Sequence, residues 1–277
     1  MSSNSKSDAE VRHAGRSVRS EMTTSAPPDR VYAAFADPAH IARWFTDSPR
    51  GEPARTGGKV TWAFDRFGVV VDLDVLVAEP GRRLALRGER PGAPRANVVD
   101  VTIEHGGGLT TLRVVESGFG DDASADEHME GNRSGWTMAL ALLGHYLDGR
   151  FGRDSRRFLV MRPARFDFAE AFARHATTEG LRSWLAKDAR VDGRSYALTL
   201  GDGRKLSGAV LARSGFETAL TAREVDGVIE LKSIKTGPDS ALLAARGTLW
   251  GGDAAACAAL EGEFASALQR LERAIAR

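Results

Sequence analysis

The chain has 277 residues, 42% of them hydrophobic and 27% charged, which suits one or two globular domains and excludes a disordered or fibrous chain. Lys and Arg total 38 against 37 Asp and Glu, a net charge of +1, so there is no electrostatic case for nucleic acid or an anionic membrane. No run approaches ~18 apolar residues, so no membrane insertion is expected, and the single cysteine, Cys257, excludes an intrachain disulfide and fits a reducing, cytoplasmic setting.

Residues 1–16 are polar, without the apolar stretch of a secretory signal, and read as a disordered tail. A helix is expected after Ser25 as N-cap, with Pro27 and Pro28 in a first turn whose N–H groups lack intrahelical partners. Val31 and Phe35 mark its inner face. Asp37-Pro38 restarts a second short helix carrying Ile41, Trp44 and Phe45. Period-two alternation then predicts strands: Val60, Trp62 and Phe64 on one face, Val69, Val71, Leu73, Val75 and Val77 on another, then Val99, Val101 and Ile103. Pro80-Gly81 and Gly106 to Gly108 mark the turns between them. An acidic loop (Asp121, Asp122, Asp126, Glu127, His128, Glu130) leads into a long helix. Its Trp136, Leu140, Leu143 and Leu147 share one face.

The same plan recurs. Phe168 and Phe172, then Leu181, Trp184 and Leu185, repeat the spacings of the two short helices, and Phe264, Leu268, Leu271 and Ile275 repeat the stripe of the long one. Strands are expected at Tyr196 to Leu200, Phe216 to Leu220, Val228 to Ile234 and Ala241 to Trp250. Gly201-Asp202-Gly203, Asp226-Gly227 and Gly237-Pro238 separate them. The charged, glycine-bearing stretch from Gly149 to Ser155 divides the copies into domains at 17–150 and 156–277. The expected fold class is α+β, each copy a curved antiparallel sheet with helices on one face.

APPDRVYAAFADPAHIARWF, TGGKVTW, VAEPGRRLAL, GGGLTTLRVVESGF and GWTMALALLGHYLDG, in that order, resemble motifs of the START-like, helix-grip superfamily (SRPBCC). Specifically, they resemble its subgroup named for activators of the heat-shock ATPase. The second half matches in pattern only, lacking the Gly-Gly-Thr strand and the Gly-Trp helix start. The resemblance implies two tandem helix-grip domains, each with a space between sheet and long helix that in related proteins takes lipids, polyketides or other apolar molecules. Some relatives are cyclases or aromatases, and many bind without chemistry. Only about sixteen polar residues precede the fold here, whereas the eukaryotic co-activators carry a docking domain there, so a co-chaperone role is not expected.

Trp44, Trp62, Phe64, Trp136, Leu140 and Leu143 are the expected lining of the first ligand space, since small-molecule sites are apolar with a few polar groups. The competing reading is that these side chains simply fill a core. The acidic loop lacks a calcium-loop register and reads as solvated, and no triad order or nucleophile elbow accompanies the six scattered histidines. His145, off the stripe, is expected at the surface, and Cys257 buried on the stripe of the last helix. No cofactor and no metal is expected. The expected function is binding of a small hydrophobic ligand without catalysis. The alternatives are a protein-interaction or regulatory module and, further off, a cyclase- or hydrolase-type enzyme.

Overall fold

The computed structural model describes residues 15–89, 96–165, 168–237 and 240–275. The chain divides into two compact units, Met1–Arg153 and Asp154–Arg277.

The first unit opens with β1 (Arg16–Thr24), followed by α1 (Pro28–Ala36) and α2 (Pro38–Ile41). Strands β2 (Lys59–Phe64), β3 (Val69–Glu79), β4 (Arg83–Gly88), β5 (Asn97–Gly106) and β6 (Leu109–Phe119) come next, and α3 (Ala123–Leu147) closes the unit. The antiparallel sheet has the order β1-β6-β5-β4-β3-β2. Its last strand thus returns beside its first, and α3 lies along β1 and β6. With 25 residues, α3 is about 37 Å long and can span the sheet.

Local chemistry explains the boundaries, with two corrections. α1 begins at Pro28 with Pro27 in the cap position and no capping side chain. Ser25 is therefore not the cap; the hydroxyl of Thr24 instead accepts from the Ala26 amide at 3.1 Å. Asp37 does cap α2, its carboxylate accepting from Ala39 N at 2.8 Å. The acidic stretch is mostly helix rather than loop, because Asp122 accepts from the Ala125 amide at 2.9 Å and starts α3 there. A hydrogen bond from the Ser124 hydroxyl, and then that from the Ala125 amide, hold the Asp122 carboxyl below its ordinary value. Asp126, Glu127, His128 and Glu130 fall inside the helix, where the first acids favour its N-terminal dipole.

The face shared by Val69 to Val75 does not extend to Val77. A bulge between Val75 and Val77 inserts one residue and reverses the alternation. Val77 then packs with Ala85 and Val98 on the side of the sheet opposite the helices. On that side Arg83 also grips Asp100 with two bonds, of 3.0 and 2.8 Å.

The second unit repeats the order with one extra strand, β8, after its short helices: β7 (Arg156–Arg165), α4 (Phe168–Ala176), α5 (Thr178–Arg182), β8 (Ala186–Val191), β9 (Ser195–Leu200), β10 (Lys205–Arg213), β11 (Glu217–Ala222), β12 (Gly227–Gly237), β13 (Ser240–Leu249) and α6 (Ala254–Ile275). Its antiparallel sheet has the order β7-β13-β12-β11-β10-β9-β8, with α6 along β7 and β13. One core joins Phe158, Leu181, Trp184, Leu185, Leu220, Ile229, Leu243, Phe264 and Leu268. Cys257 is buried in that core.

One detail fixes the correspondence between the copies. Trp44 Nε1 donates to the Ala34 carbonyl at 2.9 Å, and Trp184 Nε1 donates to the Arg174 carbonyl at 2.9 Å, ten residues back in both cases. Each indole closes its pair of short helices. Phe35 therefore corresponds to His175 rather than to Phe172.

Candidate functional site

The aromatic residues of the first unit gather around Phe45, which leaves the end of α2 half-buried. Its ring stacks on Trp44 with centroids 5.0 Å apart and on Trp136 at 6.0 Å. Trp62 and Phe64, neighbours on one face of β2, meet it edge-on at 5.2 Å each. Edge-to-face and offset contacts of this kind add to the burial energy of the rings. Of the six residues expected to line a ligand space, four thus share one cluster: Trp44, Trp62, Phe64 and Trp136. Trp44 lies deepest, against Phe35 and the α1 carbonyl. Leu140 and Leu143 are buried along the same face of α3.

A polar group completes the cluster. Glu116 of β6, only 5% exposed, accepts from Trp136 Nε1 at 2.7 Å through one oxygen and from Asn97 Nδ2 at 2.8 Å through the other. The strand period carries it there: Thr110, Leu112, Val114 and Glu116 alternate onto the inner face, as do Asn97, Val99, Val101 and Ile103. A carboxyl buried this way costs several kcal/mol unless hydrogen-bonded. Trp136 is thus both an aromatic wall and the donor that holds the acid. Phe45, Asn97 and Glu116 were not among the expected site residues. The signal for the last two was available, as polar residues standing on the core parity of strands.

At the far end of α3, Tyr146 is fully buried. Its hydroxyl meets His40 Nδ1 at 2.8 Å and accepts from the Gly152 amide at 3.0 Å. His40 stacks on Phe151 at 4.2 Å, and burial lowers the His40 pKa. This cluster ties α2 to the chain following α3. His145 is half-buried rather than at the surface.

In the second unit the positions corresponding to the acid site are apolar. Strand register sets Glu116 between Val99 and Val18, and sets Gly247 between Ile229 and Phe158. By the same register Asn97 corresponds to Gly227, and the helix stripe matches Trp136 with Phe264. A side chain on Gly247 would meet the Phe158 ring at 2.2 Å, and Phe158 stacks on Phe264 at 5.6 Å. Two rings occupy the space that the carboxyl, amide and indole share in the first unit.

The second unit carries its own interior polar group elsewhere. His175 is buried with Nε2 at 3.2 Å from Ser233 Oγ and Nδ1 at 3.4 Å from Thr218 Oγ1. Burial, then the nearby charge of Arg213, pushes its pKa down to about 4, so the ring is neutral near pH 7. The corresponding residues of the first unit are Phe35, Leu84 and Ile103, all buried and apolar. Among the described residues no three His, Cys, Asp or Glu side chains gather as a metal site. None of the described helices is long and apolar enough to cross a membrane.

Residues 25–148 match the family model described as activator of Hsp90 ATPase homolog 1-like protein. No curated protein matches the chain. Among solved structures it is similar to DynU16, a protein of the dynemicin biosynthetic locus, at 21% identity over 94% of this chain and 98% of that one, with TM-score 0.44. CalU16 from Micromonospora echinospora is 30% identical over 49% of this chain and 76% of that one, with TM-score 0.41. BexL, the di-domain ARO/CYC protein of the BE-7585A biosynthetic pathway, is 14% identical over 94% of this chain and 92% of that one, with TM-score 0.43.

Proposed function

From the premise that this chain belongs, through residues 25–148, to the activator of Hsp90 ATPase homolog 1-like family, we propose that its first unit binds a small hydrophobic molecule. The ligand would lie between the sheet and α3, without being turned over. The observation that carries this reading is the pairing of four rings around Phe45 with a buried, hydrogen-bonded Glu116. Apolar walls with one oriented polar group are what a small-molecule site needs. Core filling alone has no use for a carboxyl that must be held by two donors. On this reading Trp62, Phe64, Trp136, Leu140 and Leu143 line the ligand, Trp44 backs the wall, and Glu116 orients it. A cytoplasmic setting belongs to the same reading, because Cys257 is a lone buried thiol.

Native mass spectrometry of the full chain, followed by denaturing extraction, tests the proposal. The expected result is a co-purifying small molecule that disappears in Leu140→Trp while the fold survives. A bare mass, with no binding of hydrophobic probes that Leu140→Trp abolishes, would overturn it. A protein partner is the second reading, favoured by the exposed acids at the start of α3. It predicts loss of partner capture when Asp121 and Asp126 are neutralised, and indifference to Leu140→Trp.

A further inference from the structure

A second site, unrelated to the aromatic cluster, lies in the second unit. The first turns of α6 read AAACAAL, and of these Cys257 and Leu260 are buried while Ala255 and Ala259 are exposed. Alanines leave a gap where larger side chains would close the helix onto β10 and the short 3-10 turn after β11. The gap is a groove of about 530 Å³, within the range of small-ligand sites. Leu206, Val225 and Leu260 form its apolar wall, and Ala255 and Ala259 its floor.

Three charged side chains border the groove, and two are already committed. Arg204 donates to the Asp202 carboxylate and, at 2.6 Å, to the Ala259 carbonyl. Glu224 accepts from the Ser207 amide at 2.9 Å and the Ser207 hydroxyl at 2.6 Å. These bonds pull its carboxyl below the ordinary value despite burial working the other way. Lys205 is exposed and makes no ion pair among the described residues. The groove therefore combines an apolar floor with one uncommitted cation at its rim.

We propose that this groove binds an amphipathic anion, a molecule with an apolar chain or ring and a carboxylate, laid on Ala255 and Ala259 with its charge at Lys205. The test uses the full chain, titrated calorimetrically with dodecanoate and, for comparison, dodecyltrimethylammonium, which has the same tail and the opposite charge. Dodecanoate is expected to bind at least about tenfold more tightly than the cation. Ala259→Trp, which fills the groove from an exposed position, should abolish that binding. Lys205→Glu should weaken it about tenfold. Both variants should keep the wild-type melting curve. Equal affinity for the two detergents, absence of dodecanoate binding, or binding unchanged in both variants overturns the proposal. Binding that is lost instead in Leu140→Trp also overturns it and moves the ligand to the first unit.

Discussion

Apart from the extra edge strand β8, the two units share a strand order and a helix plan, yet they place their interior polar groups at different addresses. In the first, Asn97, Glu116 and Trp136 form a hydrogen-bonded group beneath the long helix, and Phe35, Leu84 and Ile103 are plain core. In the second, Gly227, Gly247 and Phe264 stand at the first address, with Phe158 filling the gap, while His175, Thr218 and Ser233 make the second address polar. Neither address is needed to build the fold, because each copy forms with one of them apolar. A polar interior that the fold can do without is a better pointer to function than a regular stripe of leucines. The exchange also shows that the second copy is not a worn version of the first: it has its own buried polar group.

The sharpest way to break the comparison is to move the acid. Gly247→Glu would place a carboxyl where Phe158 already sits at 2.2 Å from the added carbon. Overpacking plus an unpaired buried acid should cost about 3 kcal/mol or more, read as early unfolding of the second unit by hydrogen exchange; a near-neutral result would mean the two positions do not correspond.

The histidine comes next. Below pH about 6.5 an unfolded histidine takes a proton that folded His175 refuses until about 4. The unfolded state thus binds more protons across that window, and stability falls as pH drops through it, by about 3 kcal/mol in all. His175→Phe, the residue at this address in the first unit, should remove the slope between pH 4 and 6.5. It should lower stability at neutral pH by about 1–2 kcal/mol, because two hydroxyls lose their partner. An unchanged slope would assign the acid sensitivity elsewhere.

Trp136→Phe keeps a ring against Phe45 but withdraws the donor from Glu116. It should destabilise the first unit by about 1–3 kcal/mol, and Trp136→Phe with Glu116→Leu should recover part of that loss in a double-mutant cycle. The smallest effect belongs to the feature the copies share. Trp44→Phe and Trp184→Phe each lose one indole-to-carbonyl bond and should cost about 1 kcal/mol apiece; denaturation monitored unit by unit should find the two losses alike.

Much of the architecture was legible because large apolar side chains recur at the period of their element. Trp136, Leu140 and Leu143 announce α3, and Val60 with Trp62 announces β2. What escaped did so for physical reasons. Strand β8 buries only Ala186 and Ala189, with a bulge between them, and β10 interrupts its alternation with Gly208 and another bulge, so neither shows an apolar rhythm. Val77 obeys the alternation on paper, but an inserted residue turns it to the other face. At the candidate site the aromatic walls were readable from spacing. The hub, Phe45, was placed by the same spacing on the second short helix with Ile41 and Trp44, but not picked out as a site residue; α2 ends at Ile41 and Phe45 lies in the turn beyond it. Asn97 and Glu116 were readable only by asking which polar residues stand in register with the core.

The two tryptophan clamps bear on how the protein reaches its structure. Each joins residues only ten apart, so closing it surrenders little chain freedom compared with pairing β1 to β6 across most of a unit. Contacts of that kind are available to a chain early, before distant strands have met. Each half thus carries its own inexpensive starting point for folding. A nascent first half has what it needs to begin ordering while the second is still being made.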